Sequence, residues 1–143
     1  MAAGSRERAR GLLIKALYQW QLAGHGRDEL LAQYAALAEY GRIDQGYFED
    51  LLERVLLDTA SLDALIEQFA ARGLGQLDPV GRSILLLALA ELKYRADVPV
   101  KVVINEAVNL AKRYGAAGSF RFINAVTDKA AKVLRSGTAA AAG

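Results

Sequence analysis

A chain of 143 residues, with 53% hydrophobic and 24% charged side chains, has the length and composition of one ordinary globular domain. It contains no cysteine, which excludes disulfides, thiolate metal sites and cysteine nucleophiles. The longest uninterrupted apolar run, 84–90, is too short to span a bilayer, and the first residues lack the apolar stretch of a signal peptide. We therefore expect a cytoplasmic protein.

The formal net charge of +2 is unevenly distributed along the chain. Residues 1–27 carry five basic and one acidic residue, residues 28–97 carry six and thirteen, and residues 98–143 carry seven and two. If the two basic ends meet in the folded protein, they form a surface that attracts phosphates through counterion release. The charge pattern is equally consistent with simple solvated helix faces.

Apolar residues recur at spacings of three and four along the chain, which predicts an all-α protein. Both prolines, Pro79 and Pro99, stand where helices begin, and glycines occupy the turns. The helix that contains residues 84–92 is apolar on nearly every side, which predicts a central, buried helix. Seven helices are predicted, at roughly 5–23, 28–40, 46–58, 61–72, 79–95, 99–114 and 119–135.

These helices are predicted to form a single domain, residues 1–136, with halves at about 1–75 and 76–136. Residues 137–143 offer little to bury, and we expect them to form a flexible C-terminal tail. No sequence similarity recurs at a fixed period of 20–50 residues, so a solenoid is not expected.

The sequence lacks recognisable catalytic and metal-binding patterns. Its one histidine, His25, lies between two glycines, with no second histidine to share a metal. The glycine-rich motifs of nucleotide-binding folds are missing. Glu49, Asp50 and Glu53 fall opposite the apolar stripe of their helix and are interpreted as solvated charges. We therefore expect no enzyme activity, no metal and no cofactor.

The first helix carries more apolar surface than one core face can bury. Ile14, Tyr18 and Leu22 lie off the core stripe and need either neighbouring helices or a binding partner to cover them. At about 100° per residue, the core stripe consists of Ala9, Leu13, Ala16, Leu17 and Trp20.

The start of the same helix is rich in arginine. Arg6, Arg8 and Arg10 oppose the helix dipole instead of complementing it. Lys15 adds a further cation beside the off-core side chains. This electrostatic mismatch suggests that the cations serve an anionic ligand.

The last helix contains two phenylalanines that cannot share one face. Phe120 and Phe122 are about 200° apart around the helix. Phe122 lies on the side of Lys129, with Arg121 nearby. An aromatic ring among cations suits single-stranded nucleic acid, because bases stack on the ring and phosphates meet the charges. The alternative is a ring covered by the first helix or by the loop at 115–118.

Several of these segments resemble the NusB family. The resemblance extends from Arg6 to about Leu134, with the motifs in the same order and spacing. Ala125 stands where the family usually has glycine, and Gly81 and Gly118 stand where a charged residue is common. The matching segments are RAR at 8–10, ALYQWQL at 16–22, DVPVKVVINEAVNLAK at 97–112 and FINAV at 122–126.

The resemblance implies a fold of two perpendicular helical bundles and a non-catalytic role in transcription antitermination. It implies binding to the boxA element of nascent ribosomal RNA transcripts together with NusE, a small-subunit ribosomal protein, within the RNA polymerase antitermination complex. The implied RNA-binding residues are Arg6, Arg8, Arg10, Lys15, Tyr18, Arg121, Phe122 and Lys129, and the implied partner-binding residues are Ile14, Tyr18, Leu22, Gly81 and Arg82.

Two other functions remain open. NusB-like domains also occur as RNA-binding modules fused to ribosomal RNA cytosine methyltransferases, and a catalytic domain in the same gene would favour that function. The chain could instead be a protein-only scaffold that forms a homodimer through Ile14, Tyr18 and Leu22. Dimerisation together with indifference to RNA would favour the scaffold.

Overall fold

A computed structural model describes residues 2–70 and 77–136, with side chains from Gly4 onward. All regular structure in these ranges is helical, as predicted, and none of their helices is long and apolar enough to cross a membrane. The predicted tail at 137–143, the junction between the halves and the end of the helix predicted at 61–72 lie outside the described residues. The elements are α1 Ala2–Ala23, α2 Arg27–Ala35, a 3-10 helix Ala38–Arg42, α3 Gln45–Leu57, α4 Thr59–Phe69, α5 Pro79–Tyr94, α6 Val100–Tyr114 and α7 Ser119–Leu134.

The helix predicted at 28–40 is interrupted. It ends at Ala35, Leu37 is extended, and a 3-10 helix follows. The break buries Tyr40, whose ring packs edge-on against Phe48 at 5.8 Å between centroids. The Tyr40 hydroxyl donates a hydrogen bond to Glu49 at 2.6 Å. This packing against α3 is a tertiary effect, and the apolar spacing of the segment does not reveal it.

Helix α5 is the central element, as its all-round apolar pattern predicts. Asp78 caps its start by accepting a hydrogen bond from the Gly81 amide at 2.7 Å, and Pro79 occupies the first turn. Helices α1, α2 and α3 contact one another, as do α6 and α7. Helix α5 contacts members of both groups, and α4 contacts α3, α5 and α7. Helices α1 and α7 are therefore held against one shared helix.

A buried ion pair joins three of these helices. Arg10 of α1 and Glu91 of α5 are 3% and 2% exposed, and their nearest charged atoms are 2.9 Å apart. The Tyr47 hydroxyl of α3 accepts a hydrogen bond from Arg10 and donates a short one to Glu91. Burial raises the pKa of Tyr47 well above its usual range, so the hydroxyl remains a donor. This arrangement corrects the prediction that Arg10 contacts phosphate, because its guanidinium is enclosed and neutralised.

The end of α7 is attached to the end of α5 by a second buried arginine. Arg135 donates hydrogen bonds to the carbonyl oxygens of Glu91 at 2.9 Å, Leu92 at 2.9 Å and Arg95 at 2.7 Å, and a short one to that of Val98. One of these, the Leu92 carbonyl, lies in the last turn of α5, where carbonyls lack helical partners, and the positive charge of Arg135 complements the helix dipole there.

Replacing Arg10 by methionine should lower the free energy of unfolding by about 3–5 kcal/mol, because the Glu91 carboxylate would stay buried without its partner. Urea denaturation followed by circular dichroism measures the change. Arg8→Met is the matched control on the same helix, and as an exposed site it should alter stability by no more than about 0.5 kcal/mol. Equal losses in the two variants would contradict the structural role of Arg10.

Candidate nucleic-acid interface

One face of α1 is left open along the length of the helix. Arg8, Lys15, Tyr18 and Leu22 are exposed and recur at intervals that keep them on one side. Tyr18 is 40% exposed and Leu22 is 61% exposed. Within the described part of the chain, neither Arg8 nor Lys15 has a carboxylate partner. The face therefore begins with free cations and ends with apolar surface.

A cleft of about 340 Å³ runs beside the basic end of this face. Its floor is α1, and its sides are the end of α6 and the 3-10 helix. Gly11 lies beneath Tyr114, since a Cβ at Gly11 would lie 3.6 Å from the Tyr114 hydroxyl oxygen. Arg113 joins Arg8 and Lys15 in the lining. The cleft thus brings three cations and an aromatic ring together from the two ends of the sequence.

The cation-flanked ring of α7 is Phe120. The Lys112 ammonium nitrogen is 4.9 Å from the Phe120 ring centroid, and the Arg121 guanidinium carbon is 5.5 Å from it. Phe120 and Phe122 are both half-buried against the core, and Phe122 is about 200° further around the helix, on the flank away from Lys112. No cation lies over its ring among the described residues. The proposed role of Phe122 with the exposed Lys129 therefore stays a prediction.

Arg6 is engaged by other residues of the protein. Its guanidinium forms ion pairs with Asp44 at 3.3 Å and Asp97 at 3.4 Å, and lies 4.5 Å from the centroid of the Tyr47 ring. These contacts compete with any phosphate. Of the predicted RNA-binding cations, Arg8, Lys15, Arg121 and Lys129 are exposed.

Some of the predicted partner-binding residues are engaged within the fold, and others are exposed. Ile14 is 3% exposed, so neighbouring helices cover it, and its assignment as a partner contact is corrected. Arg82 bonds to Asp63 at 2.6 Å and to Gln21 at 3.2 Å. Gly81 is buried, and a Cβ there would lie 2.8 Å from a carboxylate oxygen of Asp78. Gly81 and Arg82 therefore have structural roles at the start of α5, and Tyr18 and Leu22 remain exposed.

Sequence reasoning missed Lys112, Arg113, Tyr114 and Phe120. The first three are consecutive at the end of α6, where cations favour the helix dipole. That run of two cations and an aromatic residue before Gly115 was an available signal. Its significance depends on the approach of α6 to α1, which periodicity does not reveal.

Glu106 lies beside the buried ion pair, and its charge also interacts with Glu7 and Arg113, which line the cleft. Its carboxylate is 3.9 Å from the Arg10 guanidinium. Burial raises the pKa of Glu106, and the negative charges of Glu7 and Glu91 raise it further, against the opposing effects of Arg10 and Arg113. The charged form of Glu106 is thus disfavoured by its surroundings.

Comparisons with known proteins identify one family. The model of the NusB family matches residues 7–132. The transcription antitermination protein NusB of Alcanivorax borkumensis is 44% identical over 131 residues, which cover 92% of this chain and 87% of that protein. The protein of the same name from Yersinia pestis is 43% identical over 135 residues, with coverages of 94% and 98%.

Solved structures share the fold. NusB of T. maritima superposes with a TM-score of 0.78 at 32% identity, covering 89% of this chain and 90% of that one. A chain in the crystal structure of antitermination factors NusB and NusE in complex with dsRNA superposes with a TM-score of 0.73 at 24% identity, covering 89% and 96%.

Replacing Glu106 by glutamine should stabilise the protein at neutral pH. A carboxyl group whose pKa is higher in the folded than in the unfolded chain loses stability as pH rises between those two values. The advantage of the variant should therefore shrink as pH falls through the raised pKa of Glu106 in the folded chain, and it should be lost below the ordinary pKa of glutamate. Thermal unfolding at several pH values measures this, with the exposed Glu29→Gln as control. Destabilisation at neutral pH would show that the interaction with Arg10 outweighs burial.

Proposed function

Because the chain belongs to the NusB family, we propose that it is a non-catalytic, RNA-binding transcription antitermination factor. In this role it binds the boxA element of nascent ribosomal RNA together with NusE, and helps RNA polymerase to read through terminators. It acts in the cytoplasm, on transcripts as they leave the polymerase.

The observation that carries the proposal is a basic face assembled from both ends of the chain. Its cations are exposed and lack carboxylate partners in the described part of the chain, whereas Arg10 and Arg82 are engaged inside the fold. Cations of this kind neutralise phosphates, and exposed rings stack with unpaired bases. We define the basic face by two groups of residues and one further ring. Arg8, Lys15, Arg113 and Tyr114 line the cleft, Lys112 and Arg121 flank the half-buried ring of Phe120, and the exposed Tyr18 lies further along α1.

The protein partner fits the other end of the same α1 face. Tyr18 and Leu22 are exposed there, and Leu22 lies about 21 Å along the helix from Arg8. A protein of the same fold was crystallised with NusE and dsRNA. We assign the Tyr18–Leu22 surface to NusE, next to the RNA. A homodimer through this surface would compete with NusE.

Replacing Arg8 by glutamine should reduce the salt dependence of RNA binding. Loss of one phosphate contact lowers the slope of log K against log salt by about 0.7 for single-stranded RNA. Fluorescence anisotropy with boxA RNA and a base-scrambled control, at several salt concentrations, measures the slope. Lys132→Gln makes the same charge change at an exposed ion pair with Asp128 and should leave the slope nearly unchanged. Identical slopes for both variants would exclude Arg8 from the interface.

The two phenylalanines of α7 allow a direct comparison. Phe120→Leu keeps apolar volume but removes the ring, and should weaken RNA binding by about fivefold or more at every salt concentration. Phe122→Leu should have a smaller effect, because its ring lies on the opposite flank of α7 from Lys112. The same anisotropy titration measures both. A larger loss at Phe122 would favour the position inferred from sequence over the one inferred from structure.

A further inference from the structure

We propose that the cleft between α1, the 3-10 helix and the end of α6 binds one unpaired nucleotide and prefers guanine to uracil. The proposal rests on the proposed function insofar as the nucleotide belongs to RNA. A free nucleotide has the same chemistry, and the experiment below separates the two sources.

The residues that line the cleft can hold a flat group with a charged substituent. Tyr114 stands on the α6 side and is 37% exposed, so part of its ring is free to stack. Glu39 lines the cleft from the 3-10 helix. Gly11 also lines the cleft, and its lack of a side chain leaves room beside the Tyr114 hydroxyl. The volume of about 340 Å³ lies at the lower end of the range for small-ligand sites.

The charges in the cleft divide into two kinds. Arg8, Lys15 and Arg113 can hold a phosphate or the adjoining backbone. Glu7 and Glu39 are exposed carboxylates that line the same cleft and form no ion pair with a described residue. A site for a bare anion would gain nothing from these carboxylates. A ligand that carries both a phosphate and hydrogen-bond donors uses both kinds of group.

The carboxylates determine which base fits. An ionised carboxylate only accepts hydrogen bonds. Guanine presents an adjacent ring N–H and amino group, which match the two oxygens of one carboxylate. Uracil presents one N–H between two carbonyl oxygens, and those oxygens would meet the carboxylate unfavourably. Unpaired bases in RNA are commonly read in this way, by stacking and by contacts to the Watson–Crick edge.

The test compares an oligouridine that carries one guanine with the plain oligouridine and with a version that carries inosine, which lacks the amino group. We expect the parent protein to prefer guanine over uracil by about fivefold or more, with inosine between them. The double variant Glu7→Gln/Glu39→Gln should bind all three RNAs alike. The exposed Glu29→Gln is the matched control and should keep the preference. Tyr114→Leu should weaken binding of the guanine-containing RNA most.

The outcomes distinguish a failure of the guanine site from a failure of the proposed RNA-binding function. If the parent binds the three RNAs equally, the guanine preference is wrong while RNA binding stands. If the parent binds no RNA, including boxA with NusE, the proposed function fails. Guanosine and uridine monophosphates, titrated by NMR, then decide the remaining question. Selective binding of guanosine monophosphate that Tyr114→Leu abolishes would keep the site for a free nucleotide, and its absence would overturn the proposal.

Discussion

The buried contact between Arg10, Glu91 and Tyr47 determines how α1 is set against the rest of the protein. Helix α5 is apolar on nearly every side, so apolar packing alone defines the rotation of its neighbours poorly. An enclosed ion pair with a shared tyrosine hydroxyl tolerates little displacement, because a separated charge would be left without a partner. With Arg10 facing inward, helical geometry directs Arg8, about 200° away, toward solvent. The orientation of the basic face therefore depends on this interior contact.

Pairing of charges within the fold also explains how a chain of small net charge presents exposed cations without partners. The acidic middle of the sequence supplies carboxylates that neutralise cations within the fold, such as Asp63 for Arg82 and Asp58 for Lys93. The exposed cations of α1 and of the region around the α6–α7 turn have no such carboxylate partners among the described residues. What matters for phosphate binding is thus which cations have been paired, and the total charge is a poor guide to it.

The separation of paired from unpaired cations also arranges the proposed binding surface. Helix α1 presents cations at its start and apolar side chains at its end, so one helix can place RNA and a protein partner side by side. The end of α6 adds Arg113 and Tyr114 to the basic end and creates a cleft that α1 alone does not have. Glu106 lies 3.9 Å from the Arg10 guanidinium and interacts electrostatically with Arg113 of the cleft, so it links the buried ion pair to the cleft.

The sequence by itself determined the all-α class, the seven α-helices of the described residues, the central position of α5 and the family, because apolar periodicity and ordered motifs are properties of local chain segments. It also identified Arg8, Lys15 and Tyr18 as residues on an open face. Only the tertiary structure decided that Arg10 and Ile14 are enclosed and that Phe120 instead of Phe122 lies beneath the cations. It also decided that the second helix ends at Ala35 and that a 3-10 helix containing the buried Tyr40 follows. Periodicity gives the direction of a side chain about its own helix axis. The partner it meets depends on which distant helix packs there.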